Sequence, residues 1–337
     1  MDPLTHASIG AVVAQATRQR RLGRTALLAA AIVSMLPDLD VIIGYIWGPW
    51  AMLVHHRGFT HSLWFPPLAG PLLAYGFWRW RRRSHPHEGY LEWAGLFTFV
   101  LLLHPLNDLA TSYGTKLLAP FSNHSFAIHA IGVIDFTFTG ILLFSLMLGL
   151  ILRRQAWREG VAWVALTLAG AYLVQGMANS EKAVAIAKAH LPQDRVSFTR
   201  IDAYPQLFHL PLRRVVVHFP DQVCVTKVDV RTARMDQWAC QPTRFGRDLD
   251  NLLATREGAI FYAFTTGNIL FTRREDWGKL LDLRYPASPE PFESLWAAGA
   301  RFDDQDQVIG PVQYLRSARK LDWQGIQTVW REAWRAP

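Results

Sequence analysis

Histidine and aspartate recur in the first third of this 337-residue chain at spacings that suit a divalent cation. The run Leu36-Pro37-Asp38-Leu39-Asp40 puts two carboxylates at the end of an apolar segment. Charge there is costly unless it is paired, ligated or facing water. His55, His56 and His61 fall within seven residues, in His55-His56-Arg57-Gly58-Phe59-Thr60-His61. Neutral imidazole is a common transition-metal ligand. Arg57 beside them carries the forked guanidinium that clamps a phosphate or carboxylate. In His104-Pro105-Leu106-Asn107-Asp108, His104 and Asp108 lie four residues apart and so share one helix face. His6 completes a candidate ligand set of His6, Asp38, Asp40, His56, His61, His104 and Asp108. Mixed nitrogen and oxygen donors suit Zn, with Mn as the second choice, and argue against calcium. One or two ions are expected, with Asp108 or Asp40 able to bridge a pair. Asp38 or Asp40 would orient or deprotonate a water, and Arg57 would clamp the substrate. His124, His129 and Asp135 stand in reserve for a further ion. The sequence has no GxSxG elbow and no cysteine among these histidines, so Ser or Cys nucleophilic catalysis is the weaker reading.

The elements that must position these residues are apolar. Half of the chain is hydrophobic and 18% is charged, below the quarter usual in soluble domains. Apolar runs cover 5–17, 25–47, 62–80, 92–109, 133–152 and 161–177. The first is too short to cross a bilayer alone. The pattern predicts a multi-pass α-helical membrane domain of five or six helices over 1–178. The formal charge of +8 sits largely in arginine clusters beside these runs, at 18–24, 79–83 and 153–154. Such clusters mark cytoplasmic loops rather than a nucleic-acid surface. On that orientation the candidate ligands and everything beyond residue 179 face outward from the membrane, with membrane lipids as partners. No cleavable signal peptide is expected, because the basic cluster follows the first apolar run instead of preceding it.

Residues 179–337 read as a smaller, soluble α+β domain, extracytoplasmic on the same orientation. A helix is expected over 180–191, with strands over 214–219, 223–230, 259–265 and 269–272 and a hairpin turn at Thr266-Gly267-Asn268. A closing helix is expected over 322–334, where Trp323, Trp330 and Trp334 form an interfacial face or a core. Cys224 and Cys240 are either a disulfide or two inert thiols.

Several of these stretches together resemble the YdjM-type family of membrane-bound, metal-dependent hydrolases. The likeness is carried by Asp2-Pro3-Leu4-Thr5-His6, by Leu36 through Asp40, and by His56-Arg57-Gly58-Phe59-Thr60-His61-Ser62. It continues through His104 to Asp108, Thr111-Ser112-Tyr113-Gly114 and Leu117-Leu118-Ala119-Pro120-Phe121. That family in turn is similar to the zinc-dependent phospholipase C and P1 nuclease group, all-helical enzymes with a metal cluster. The resemblance implies a comparable helical core and hydrolysis of a phosphoester, lipid-like, by metal-activated water. It also implies that His6 serves one ion, while Asp38 or Asp40, His56 or His61, His104 and a bridging Asp108 serve a second. The third-ion set of that group has no counterpart at matching spacing. The rival expectation is a non-enzymatic membrane metal-binding protein or metal transporter, which would place its ligands near the bilayer midplane.

Overall fold

The computed structural model of the protein describes residues 1–191, 197–206, 209–243, 246–286 and 290–316. The first part of the chain is helical: α1 Pro3–Thr17, α2 Gln19–Leu22, α3 Thr25–Met35, α4 Ile42–Trp47, α5 Pro49–His55, α6 Phe65–Arg81, α7 Tyr90–Leu109, α8 Phe136–Ile151 and α9 Gln155–Ala189. Short 3-10 turns at Leu36–Val41 and Phe59–His61 interrupt it. Strands β1 Arg200–Gln206, β2 His209–His218, β3 Gln222–Asp229, β4 Arg234–Met235 and β5 Ala239–Pro242 follow. Then come α10 Arg247–Ala254, α11 Arg256–Thr265, β6 Ile269–Arg274, β7 Trp277–Asp282, β8 Trp296–Phe302 and β9 Val308–Arg316. Two compact units emerge: Met1–Ile43 with His55–Gln175, and Gly44–Val54 with Gly176–Pro337.

The expectation of five or six membrane helices is corrected. Among the described residues, two helical segments are long and apolar enough to cross a membrane, Thr25–Trp47 and Gln155–Ala189. The other apolar runs fall short for identifiable reasons. Helix α1 has 15 residues and α8 has 16, below the ~20 that a bilayer requires. Helix α6 has 17, with Pro66 and Pro67 in its first turn and Pro71 inside it. Helix α7 reaches 20 residues, but its last turns hold His104, Asn107 and Asp108. A helix apolar all round is either a membrane span or a buried core helix. In α1, the residues from Ile9 to Ala16 are buried within the protein, and so are Trp93, Ala94, Leu96, Phe97, Val100 and Leu101 of α7. Nor is the helical part accompanied by a minor appendage. Two antiparallel sheets, one of five strands and one of four, make up a large share of the chain.

Within the first unit, α1 begins on a strong stop. Asp2 is its N-cap and accepts from the Thr5 amide at 3.0 Å, and Pro3 occupies the first turn where no amide partner is needed. Gly10 lets α1 lie against α3. A β-carbon there would sit 2.5 Å from the Ala30 carbonyl oxygen and 2.8 Å from the Ser34 β-carbon. That approach brings His6, one turn earlier, beside Ser34.

Within the second unit, β2 shows why a period-two pattern builds a two-faced sheet. Val215 and Val217 pack with Ala183 and Ala187 of α9, while Val216 packs with Leu270 and Leu283 beside the second sheet. The expected strands over 214–219 and 223–230 correspond to β2 and β3, and 269–272 lies in β6. The expected strand over 259–265 is instead helix α11. Thr255 caps it by accepting from the Gly258 amide, and Phe261, Phe264 and Thr265 bury one face at helical spacing. The expected hairpin turn is therefore a helix stop. Thr266 takes φ 51° and Gly267 φ 76°, the left-handed geometry of a helix C-terminus. Cys224 and Cys240 face each other across β3 and β5 and form a disulfide. The expected closing helix over 322–334, with its three tryptophans, lies outside the described residues.

Candidate metal centre

Four ligand atoms, one each from His6, Asp38, His104 and Asp108, lie within 4.8 Å of one another. They come from three separate stretches: α1, the turn at Leu36–Val41, and α7. The turn exists because Pro37 cannot continue the ladder of α3; Asp38 is thereby swung toward α7. His61 adjoins the group from the loop before α6. Its Nε2 is 2.9 Å from His104 Nε2, 3.2 Å from Asp108 Oδ2 and 3.4 Å from Asp38 Oδ1. His104 Nε2 is itself 3.4 Å from Asp38, and the His6 and His104 rings stack at 3.7 Å.

The partners on the far side of each ring fix what each ring can offer. His104 Nδ1 lies 2.7 Å from the Ser34 carbonyl oxygen, which can only accept, so in the neutral ring Nδ1 holds the proton and Nε2 presents a lone pair. Ser34 also donates to the carbonyl of His6 at 2.6 Å, locking α1, α3 and α7 at one point. His61 Nδ1 faces Asp40 at 3.2 Å, leaving Nε2 turned toward the cluster. A ligating histidine oriented by an outer carboxylate or carbonyl is the usual pattern around bound metal.

Asp40 stands outside the group of four and holds the histidine loop in shape. It meets His56 Nδ1 at 2.6 Å, accepts from the Arg57 amide at 3.0 Å and accepts from the Thr60 hydroxyl at 2.8 Å. Arg57 has a positive φ of 58°, a costly conformation for a non-glycine residue. At Gly58 a β-carbon would lie 2.7 Å from the His55 carbonyl oxygen. His56 thus binds the organising carboxylate from outside and is not among the four converging residues.

Arg57 is buried and reaches Asp108 at 2.9 Å and the Thr111 hydroxyl at 2.9 Å, with its guanidinium over the Tyr113 ring. The Met1 amino group also contacts Asp108. Burial alone would lower the His61 pKa, but its bonds to Asp108, Asp38 and Asp40 outweigh that and raise it to about 10. The cluster therefore calls for positive charge. It also leaves buried atoms without a hydrogen-bond partner among the described residues: His6 Nδ1 and Asp38 Oδ2. Such atoms cost roughly 1–3 kcal/mol each when left unmatched, and a divalent cation would match them. The donor set fits.

The reserve residues play other parts. Asp135 caps α8 by accepting from the Phe138 amide at 2.9 Å and takes the Tyr172 hydroxyl. His124 packs edge-on against Phe126, and His129 takes φ 57°. None of the three belongs to the converging group. Sequence reasoning gave no role to Ser34, Thr60 or Thr111; Thr60 and Thr111 lie in the stretches that carry the resemblance, and Ser34 is a lone serine inside the apolar run of α3.

Residues 1–182 match the sequence pattern of the YdjM inner membrane protein family. The chain belongs to that family. A similar protein is the inner membrane protein YbcI of Escherichia coli (strain K12), 30% identical over 125 residues, which are 36% of this chain and 69% of that protein. No solved structure matches the chain. This YdjM family member is thus a membrane protein, and the matched region contains every residue of the cluster.

Proposed function

We propose that the protein is a membrane-bound, metal-dependent hydrolase acting on a phosphoester of lipid-like character. The observation that carries the reading is the convergence of His6, Asp38, His104 and Asp108, with His61 alongside, in the apolar interior. These residues would hold one or two divalent ions, Zn or Mn. Such an ion supplies Lewis acidity and lowers the pKa of a water near neutrality. Asp38 is the carboxylate that would orient and deprotonate that water. Its side chain is 19% exposed, whereas those of Asp40 and Asp108 are 3% and 0%. Arg57 would steady the negative charge of the phosphoester through Nε, which has no partner among the described residues. The kinship with the phospholipase C and P1 nuclease group belongs to this proposal and rests on the order of the motif residues alone.

The disulfide supports an outward orientation of the second unit, because disulfides persist in the periplasm and not in the cytosol. One observation favours a second reading, a metal that braces the helices without catalysis: His6, His61, His104 and Asp108 are almost fully buried. A structural ion is fully coordinated by protein, while a catalytic one keeps an open position.

Purified protein loaded with zinc or manganese is expected to hydrolyse a generic phosphodiester such as bis(p-nitrophenyl) phosphate. Asp38→Asn should cut kcat about 100-fold or more, the scale of general-base catalysis. Bound metal without turnover on phosphodiester, phosphomonoester or phospholipid substrates would leave the bracing role in its place.

A further inference from the structure

The two loops beside the cluster leave a rim of large apolar side chains in the open: Phe59 46%, Leu63 38%, Trp64 49%, Leu118 40% and Phe121 80% exposed. They form one surface. The Trp64 and Phe121 rings meet edge to face at 5.7 Å. The Leu63 amide donates to the Leu117 carbonyl, and the Lys116 amide to the Arg57 carbonyl, both at 3.0 Å. Soluble proteins rarely expose contiguous apolar patches without something to cover them.

The covering phase is indicated by what the rim hangs from. Asp40 lies inside Thr25–Trp47, a segment long and apolar enough to cross a membrane. It accepts from the Arg57 amide and from the hydroxyl of Thr60, next to Phe59. The rim is therefore one hydrogen bond away from a segment long and apolar enough to cross a membrane. Tryptophan is the residue type enriched at the membrane–water boundary, and exposed Phe and Leu bury apolar area just below it.

We infer that this rim inserts into the phospholipid bilayer at the headgroup–acyl boundary, so that the His/Asp cluster is served from the membrane side. Insertion stands on the geometry; the consequence for substrate choice, an amphiphilic phosphoester taken from the leaflet, rests on the proposed hydrolase reading.

The test is a depth measurement. Phe121→Cys and Trp64→Cys variants of the full chain are spin-labelled and reconstituted into vesicles of phosphatidylethanolamine and phosphatidylglycerol. The native cysteines are paired in the disulfide, so each variant offers one thiol. Power-saturation spectroscopy then compares collisions with oxygen and with a water-soluble nickel chelate. Both labels are expected below the lipid phosphates, with oxygen collisions dominating. A label above the phosphates at either position overturns the inference and assigns the rim to a partner in water or a second copy. The readout needs neither metal nor turnover. Shallow labels with intact metal binding sink the rim alone, whereas deep labels without metal binding sink the hydrolase reading alone.

Discussion

Asp108→Ala is expected to abolish metal binding and hydrolysis and to destabilise the protein by about 3–5 kcal/mol, the cost of breaking a buried ion pair. The loss has two sources. Asp108 lies at the meeting point of His6 Nε2 at 3.3 Å, His61 Nε2 at 3.2 Å and Arg57 at 2.9 Å. Removing it deletes a ligand and also strands the Arg57 guanidinium in the interior, where the side chain is 3% exposed. His104→Ala separates these effects, since it deletes a ligand without orphaning a charge. It should lose the metal with a smaller fall in Tm. Asp108→Asn keeps the volume and guards against simple misfolding. Zinc content by mass spectrometry and thermal unfolding in detergent provide the readouts. Full zinc content in all three variants would move the site elsewhere.

Asp40→Ala is expected to weaken metal affinity about 10–100-fold while leaving the stoichiometry unchanged, as loss of an outer partner of ligating histidine does. Asp40 touches His61 through Nδ1, the nitrogen turned away from the cluster. It also holds the Arg57 amide and the Thr60 hydroxyl, so its removal loosens the loop that delivers His61. A competition titration against a chromophoric chelator measures the shift. Stoichiometric loss of zinc, equal to that of His104→Ala, would make Asp40 a ligand after all.

The difference between Asp38 and Asp40 marks the limit of what the sequence exposed. Both carboxylates were legible as costly charges at the end of an apolar run, and their two-residue spacing put either within reach of an ion. Which one faces the cluster depends on the 3-10 turn at Leu36–Val41 and on the loop that folds back over it. Neither has a periodic signature. His104 and Asp108 were readable because a helix fixes the i, i+4 relation. The mirror-image failure concerns the helices themselves. Hydropathy records that α1 and α7 avoid water, not whether lipid or protein replaces it, and here much of the replacement is protein. At 259–265 a short apolar run satisfied a strand pattern, but the Thr255 cap, a local hydrogen bond, decided for helix.

The central claim, that these side chains form a cation site, is tested most directly by calorimetric titration of zinc into the metal-free protein, repeated in buffers of different ionisation enthalpy. With its pKa raised to about 10, His61 carries a proton at pH 7.5 in the metal-free state. Ligation requires the neutral ring, so an ion must displace that proton, and affinity should rise with pH up to about 10 and fall below neutrality. The predicted result is saturable binding of one or two ions per chain with release of about one proton attributable to His61. A folded protein that takes up no zinc, at any pH between about 6 and 9, would contradict the account.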